Sequence, residues 1–210
     1  MNQNIKMILF VLVLGLFTSG ILVGMDALTR DRIEANKNFD NQSTVLIANG
    51  YANQFTAANI NTFFNEKIET VVLDGYTFYV GKDTNRISFR FIGGGVWGDI
   101  IGIITFESDF VTIVSITILQ QEETPGLGGV VAEAPYLAQF VGKTFDQASI
   151  KRYPAPNTDV ALFIEINKDD NQVNLPNEVD SIVGATRTSQ AFEFILNTNY
   201  AAHLAAWNAR

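Results

Sequence analysis

Cysteine is absent from the 210-residue chain. Its absence excludes disulfides, protein-ligated iron–sulfur clusters and c-type haem, all of which need sulfur bonds to the polypeptide. Histidine is almost as scarce: His203, near the C-terminus, is the only one. A lone imidazole is far more often packed or solvated than a ligand, so no metal centre is expected. Basic residues are in deficit, with 14 Lys and Arg against 22 Asp and Glu. The formal net charge of −8 argues against nucleic acid as a partner. There is no dinucleotide-binding fingerprint, internal repeat or low-complexity tract. If this chain carries electrons, an organic cofactor has to do so.

The hydrophobic fraction of 47% suits one membrane segment plus one compact domain. Residues 7–25, from Met7 to Met25, contain no charge and are dominated by Leu, Val, Ile and Phe. That is about the length of a membrane-crossing helix. A secretory signal would have a shorter apolar core and a small-x-small cleavage site, and a pilin-like helix its own processing signature. A retained anchor is the preferred reading. Gly20 and Gly24, with Gly15 and Ser19, give it small residues at the spacing that lets another helix pack closely. Lys6 precedes the segment, whereas Arg30, Arg32 and Lys37 follow it, so charge alone would put the C-terminal side in the cytoplasm.

From Asp26 the pattern stays helical and suggests a neck, with short helical candidates at Val45–Tyr51 and Ile60–Phe64. Strand signals follow. Tyr76–Val80 is rich in β-formers. Ile87, Phe89 and Phe91 alternate with Ser88 and Arg90, which predicts a half-buried strand. Ile100–Phe106 and Val111–Leu119 are two further apolar strands, joined through Glu107-Ser108-Asp109. Such short connections imply antiparallel neighbours. Tyr136–Val141 reads as a short helix ended by Gly142-Lys143, residues 151–159 as a Pro-rich loop, and Ala161–Ile166 as a strand. Asp169-Asp170-Asn171 is a turn signal.

Three stretches stand out as candidate sites. Gly93-Gly94-Gly95-Val96-Trp97-Gly98 is a flexible loop carrying one flat, polarisable side chain. It lacks the Gly-Lys-Ser/Thr ending of a phosphate-binding P-loop. A hydrophobic plug at a sheet edge would give the same pattern. Glu123-Thr124-Pro125-Gly126-Leu127-Gly128 is a tight turn that brings backbone close to something. Asp180-Ser181-Ile182-Val183-Gly184-Ala185-Thr186-Arg187-Thr188-Ser189 leads into a helix expected from about Thr188. Unpaired N–H groups and the positive dipole end favour a phosphate at such a place. The competing reading is a plain N-cap.

Taken in order, these three stretches resemble the FMN-binding domain family. That family is shared by the C subunit of the sodium-translocating NADH:quinone oxidoreductase and the G subunit of the RNF ferredoxin:NAD oxidoreductase. Its flavinylation motif, Asp-x-x-(Ser/Thr)-Gly-Ala-Thr, is matched by Asp180 to Thr186 except that Val183 replaces Ser or Thr. Its His-x-Glu-Thr-Pro-Gly-Leu-Gly hallmark is matched except that Gln121 stands at the His position. Gln donates and accepts hydrogen bonds but does not titrate. The resemblance covers roughly residues 70–200.

The resemblance implies an α+β fold: a single transmembrane helix, then a mainly antiparallel sheet domain with flanking helices. The expected division is 1–25 anchor, 26–70 helical neck and 71–210 FMN-binding domain. It further implies FMN esterified through its phosphate to Thr186 by a separate flavin transferase, with Asp180 serving recognition by that enzyme. Trp97, Glu123, Thr124 and Leu127 would surround the ring; Gly184, Ala185, Thr188 and Ser189 would surround the phosphate. The chain would be an electron-transfer subunit among other membrane subunits of a sodium-pump or RNF complex. It would sit in the bacterial inner membrane, its domain on the extracytoplasmic side. The alternative from a different class is a membrane-anchored ligand-binding or adhesive domain without a cofactor.

Overall fold

The computed structural model describes residues 2–148, 151–153, 160–167 and 175–210. The turn signal at Asp169-Asp170-Asn171 and most of the Pro-rich loop at 151–159 lie outside these residues. The chain divides into two units, Met1–Asp40 and Asn41–Arg210.

From Gln3 onward the first unit is part of α1, a helix running Gln3–Ala48. Its apolar window has a mean hydropathy of 2.5 and none of it is buried. By length and composition this helix can cross a membrane. At 46 residues it is more than twice as long as a bilayer requires. Asp26 and Arg30 form an i,i+4 ion pair beyond the apolar stretch.

The second unit opens at Asn41 with the end of α1, where Val45, Leu46 and Ala48 are buried. The short helix α2 (Ile60–Lys67) runs directly into β1 (Ile68–Leu73). Then come β2 (Tyr76–Gly81), β3 (Ile87–Gly94), β4 (Asp99–Phe106) and β5 (Ile113–Gln120). These five form one antiparallel meander in the order β1-β2-β3-β4-β5. The four strands expected from the sequence are present. β1 is an addition, paired from Ile68↔Gly81 to Leu73↔Tyr76. The two-residue connection Asp74-Gly75 has φ of 49° and 83°, the geometry of a tight hairpin turn.

After β5, Gly128–Ala132 makes a 3-10 turn. The expected helix at Tyr136–Val141 is found as α3 (Ala134–Leu137) followed by a 3-10 turn, Ala138–Phe140. Of the strand expected at Ala161–Ile166, the regular part is β6 (Glu165–Asn167), parallel to β7 (Glu178–Asp180). Ala161 itself makes an isolated bridge to Arg152. The final helix, α4, spans Thr186–Asn208.

The core is aromatic. Phe78, Phe89, Phe91 and Phe106 from the sheet meet Phe140, Phe145, Phe192 and Tyr200, all fully buried. Each such ring contributes roughly 1.5–3 kcal/mol through removal from water. β3 is less one-sided than its alternation suggests. Ser88 is buried too, because its hydroxyl pairs with that of Thr105 across the β3–β4 register at 2.8 Å. His203 is packed, its ring stacked 3.9 Å from Phe89, and burial lowers its pKa.

What positions the site is the seat of α4 on β3. A Cβ on Gly93 would lie 2.5 Å from the Ile195 side chain, so only glycine lets the helix sit this close. The Asn199 amide then continues the sheet's hydrogen bonding. It donates to Ile92 O at 3.1 Å and accepts from Ile92 N at 3.4 Å. Lower on the helix, the buried Asn197 accepts from Phe163 N and Ile164 N and donates to Ile164 O. The N-terminus of α4 is thereby fixed beside the ends of the sheet loops.

Candidate functional site

Three loops meet around one buried carboxylate. Glu123 is 4% exposed. One of its oxygens, Oε1, accepts from Val96 N at 2.6 Å and Trp97 N at 3.2 Å. The other, Oε2, accepts from Thr188 Oγ1 at 2.7 Å. The Gly-rich loop, the Glu-Thr-Pro-Gly-Leu-Gly loop and the first turn of α4 are thus joined through a single side chain. A buried charge is tolerable only when its lone pairs are met, and here three donors meet them.

Glycines make room for that carboxylate. A Cβ on Gly95 would lie 2.5 Å from Glu123 Oε1. On Gly128 it would lie 2.5 Å from Thr188 Oγ1 and 2.7 Å from Glu123 Oε2. Gly95 N also bonds Gly98 O at 2.8 Å, closing the Trp97 loop on itself. In the second loop Thr124 O accepts from Leu127 N and Gly129 N, while Gly126 takes a φ of 71° that suits glycine. Gln121 acts here on the backbone: its Oε1 accepts from Glu123 N at 2.6 Å. An acceptor is what this position needs in the present fold, and the amide supplies one.

The turn before α4 is built by Ser189. Its hydroxyl accepts from Ile182 N at 2.9 Å and donates to Ala185 O at 3.1 Å. Ala185 N bonds Ile182 O, with Gly184 at a φ of 79° between them. Ala185 is the N-cap residue, and no side chain caps the helix. The first backbone N–H groups of α4 therefore receive no hydrogen bond from an N-cap side chain.

That cleft has a volume of about 300 Å³. Val96, Trp97 and Leu127 give it apolar lining, and Gly184, Ala185 and Thr186 line it too. Glu123, Thr124, Gly128, Arg187 and Thr188 complete it. Of the residues expected at the site, all line this cleft except Asp180 and Ser189. Asp180 is exposed at the end of β7, and Ser189 lies buried beneath the turn it braces. Thr186 is exposed at the first position of α4. Thr188 lines the cleft, but its hydroxyl is committed to Glu123.

Trp97 is 70% exposed and Val183 is 93% exposed. Neither side chain is held by the core, so each is available to something outside it. Arg187 was not anticipated from the sequence, where it occupied an unspecified place between Thr186 and Thr188. A larger depression of about 580 Å³, lined by residues such as Thr144, Lys151 and Pro176, carries none of the three sequence motifs.

A sequence profile of the FMN-binding domain matches residues 95–200, half of the chain. The chain belongs to the FMN-binding domain family. The C subunit of the Na(+)-translocating NADH-quinone reductase from Vibrio vulnificus (strain YJ016) is 34% identical over 113 residues, or 54% of this chain and 40% of that protein. The protein of that name from Yersinia pestis is 29% identical over 188 residues, 86% of this chain and 62% of its own length. The chain spans about 40% of the length of the first of these relatives.

The crystal structure of the C subunit of that reductase from Parabacteroides distasonis superposes with a TM-score of 0.63 at 22% identity, covering 80% of this chain and 92% of that one. Shewanella oneidensis NqrC gives 0.62 at 18% identity, covering 79% and 93%. These likenesses establish a shared fold over about four fifths of this chain.

The residues present fit a flavin mononucleotide. An uncapped helix N-terminus and a guanidinium suit its phosphate. The indole and the Leu127 and Val96 side chains suit its ring. No group of His, Cys, Asp and Glu able to hold a metal ion occurs among the described residues.

Proposed function

We propose that this chain is a membrane-anchored electron-transfer protein with FMN esterified to Thr186, working within a complex of the sodium-translocating NADH:quinone oxidoreductase type. The observation that carries the reading is the convergence of three separate motifs on one cleft, with the exposed Thr186 among its lining residues. Bound FMN would supply one- and two-electron redox chemistry.

In attachment, the Thr186 oxygen would form a bond to the flavin-side phosphorus of FAD as the pyrophosphate bond breaks and AMP leaves. A base of a separate flavin transferase would take the hydroxyl proton. The N–H groups at the start of α4 would hold the phosphate, and Trp97, Leu127 and Thr124 would hold the ring. Glu123 would work through these groups by fixing the Trp97 loop and α4 at one separation. Asp180 and the solvent-facing Val183 would be read by the transferase, because an exposed side chain is accessible to a partner at no cost to the fold.

Residues 1–25 would form the anchor in the bacterial cytoplasmic membrane, and residues 26–70 a neck handing over to the sheet at β1. Residues 71–210 would carry the flavin on the extracytoplasmic side. Other membrane subunits would supply and accept the electrons.

The test is covalent flavin on the polypeptide. The chain is expressed with a flavin transferase, denatured and separated by size. Flavin fluorescence should travel with the parent band and be lost in Thr186→Val. A parent band without fluorescence overturns covalent attachment.

A further inference from the structure

We propose that Tyr136, Glu193 and Asp180 hold one buried water molecule, and that this water fixes β7 against α4. Tyr136 lies on α3 and is 5% exposed, yet its hydroxyl has no hydrogen-bond partner among the described residues. Enclosing a hydroxyl without a partner is costly, and native folds rarely leave one so. Tyr200, another phenol of the core, shows the usual solution. Its hydroxyl donates to Phe110 O at 2.8 Å and accepts from Gln147 Nε2 at 2.7 Å.

Acceptors for Tyr136 stand at one remove. Its ring meets Phe140 at 5.7 Å, and Phe140 meets Phe192 at 5.7 Å, which sets the phenol beside the turn of α4 that carries Glu193. β7, which ends in Asp180, abuts the 3-10 turn that continues α3. Burial, with the charges of Glu193 and Asp180, pushes the Tyr136 phenol up, yet neither carboxylate bonds it. Polar groups that feel one another without bonding directly are joined well by a water between them.

Water suits the chemistry of the place. It accepts from Tyr136 Oη and donates one proton to each carboxylate, the three bonds usual for an enclosed water. Glu193 has the capacity: its two oxygens accept once each, from Tyr153 Oη and Ile166 N, and each carries a second lone pair. No ion pair among the described residues involves Glu193 or Asp180. Nor is any described group of acidic residues arranged to hold a metal ion. One donor facing two acceptors needs a mediator with two protons of its own. The bridge joins α3, β7 and α4. Its role in attachment rests on the flavin reading above: Asp180 opens the attachment motif and Thr186 closes it. The water then sets the offset between the aspartate that the transferase reads and the hydroxyl that it modifies.

Tyr136→Phe in the full chain, unfolded by heat in detergent, tests the site through the sign of the shift. Removing a hydroxyl that a water satisfies should lower the midpoint by about 2–4 °C, the effect of one hydrogen bond in a domain of this size. Removing a hydroxyl that nothing satisfies would raise it, so a raised or unchanged midpoint overturns the water. Tyr136→Phe should cost less in an Asp180→Ala background than in the parent; equal cost removes Asp180 from the bridge. Added sodium or magnesium should leave the parent midpoint where it is. A rise that Tyr136→Phe abolishes would put a cation there instead and overturn the water. With a flavin transferase supplied, Tyr136→Phe should raise the KM for the chain roughly fivefold at unchanged kcat, again the value of one hydrogen bond. An unchanged KM overturns the role in attachment and leaves the water. A parent that takes no covalent flavin counts against the flavin reading alone, because the midpoints need no flavin.

Discussion

A double-mutant cycle on Glu123 and Thr188 tests whether one carboxylate holds the site together. Thr188→Val keeps the shape of the side chain and removes the donor at 2.7 Å. A hydrogen bond to a charged group contributes about 1.5–3 kcal/mol, and its loss leaves a carboxylate oxygen unmet inside the protein. A cost near 2 kcal/mol lowers Tm by about 4–8 °C in a domain of this size. Glu123→Ala should cost about as much: it abandons the Thr188 hydroxyl, while the Val96 and Trp97 amides sit in an exposed loop and can turn to water. Once Glu123 is gone, Thr188→Val has nothing left to break. The double variant should therefore be more stable than the sum of the singles by about 1.5 kcal/mol or more. Denaturant unfolding of the full chain in detergent, followed by far-ultraviolet circular dichroism, measures all four corners. Additivity within about 0.5 kcal/mol would mean that the Glu123–Thr188 bond does not join the loop to the helix.

Gly128→Ala should destabilise the domain by about 1–3 kcal/mol, because its Cβ would meet Thr188 Oγ1 at 2.5 Å; the denaturant midpoint reports it, and covalent flavin yield should fall with it. Ser88→Ala should cost about 1–2 kcal/mol by leaving the Thr105 hydroxyl buried without its partner, while Ser88→Ala with Thr105→Val should cost less than the sum of the two single changes. Glu193, half-buried on α4, accepts from Ile166 N and Tyr153 Oη, yet desolvation raises its pKa. A carboxyl whose pKa is higher folded than unfolded favours the native state most below its ordinary value of 4.5, and loses that contribution as pH rises through the folded pKa. Glu193→Gln should therefore match or exceed the parent at neutral pH and lose its advantage near pH 4. Comparing the two proteins at each pH cancels His203, whose lowered pKa acts with the opposite sign; a parallel pair of profiles would show that Glu193 does not titrate across this range.

The sheet was legible because β2 to β5 carry β-branched and aromatic residues between turn signals. β1 escaped notice because α2 runs into it without a break at Lys67–Ile68. The signal was nevertheless there: Asp74-Gly75 between two β-forming runs marks a hairpin. Ser88 looked like the solvent side of β3, since a lone polar residue does not announce its partner 17 positions away. At the site, motif order located the cleft but not the direction of each hydroxyl. The spacing of Thr186, Thr188 and Ser189 suggests three hydroxyls around one phosphate. Thr188 turns to Glu123, 65 positions earlier, and Ser189 turns to its own preceding turn. Long-range partners of this kind are invisible to spacing.

The open form of the cleft gives covalent attachment a physical rationale on the proposed reading. A volume of about 300 Å³ sits at the lower end for ligand pockets, and its indole wall is mostly in solvent. Such a site offers a flavin limited apolar burial, so affinity alone would leave the cofactor free to dissociate. Deepening the cleft would raise affinity, but it would also bury the ring behind protein and hinder exchange with a partner. On that reading one ester would remove the conflict: the Thr186 oxygen would keep the phosphate at the start of α4 while the ring stayed accessible. The tether needs an exposed hydroxyl on a rigid element, and the core-side contacts of α4, from Ser189 through Asn197 to Asn199, supply that rigidity. The same logic makes the Glu123 link a matter of register rather than retention. If that link sets the separation of ring wall and tether, Glu123→Ala should change the spectrum and accessibility of an attached flavin without releasing it.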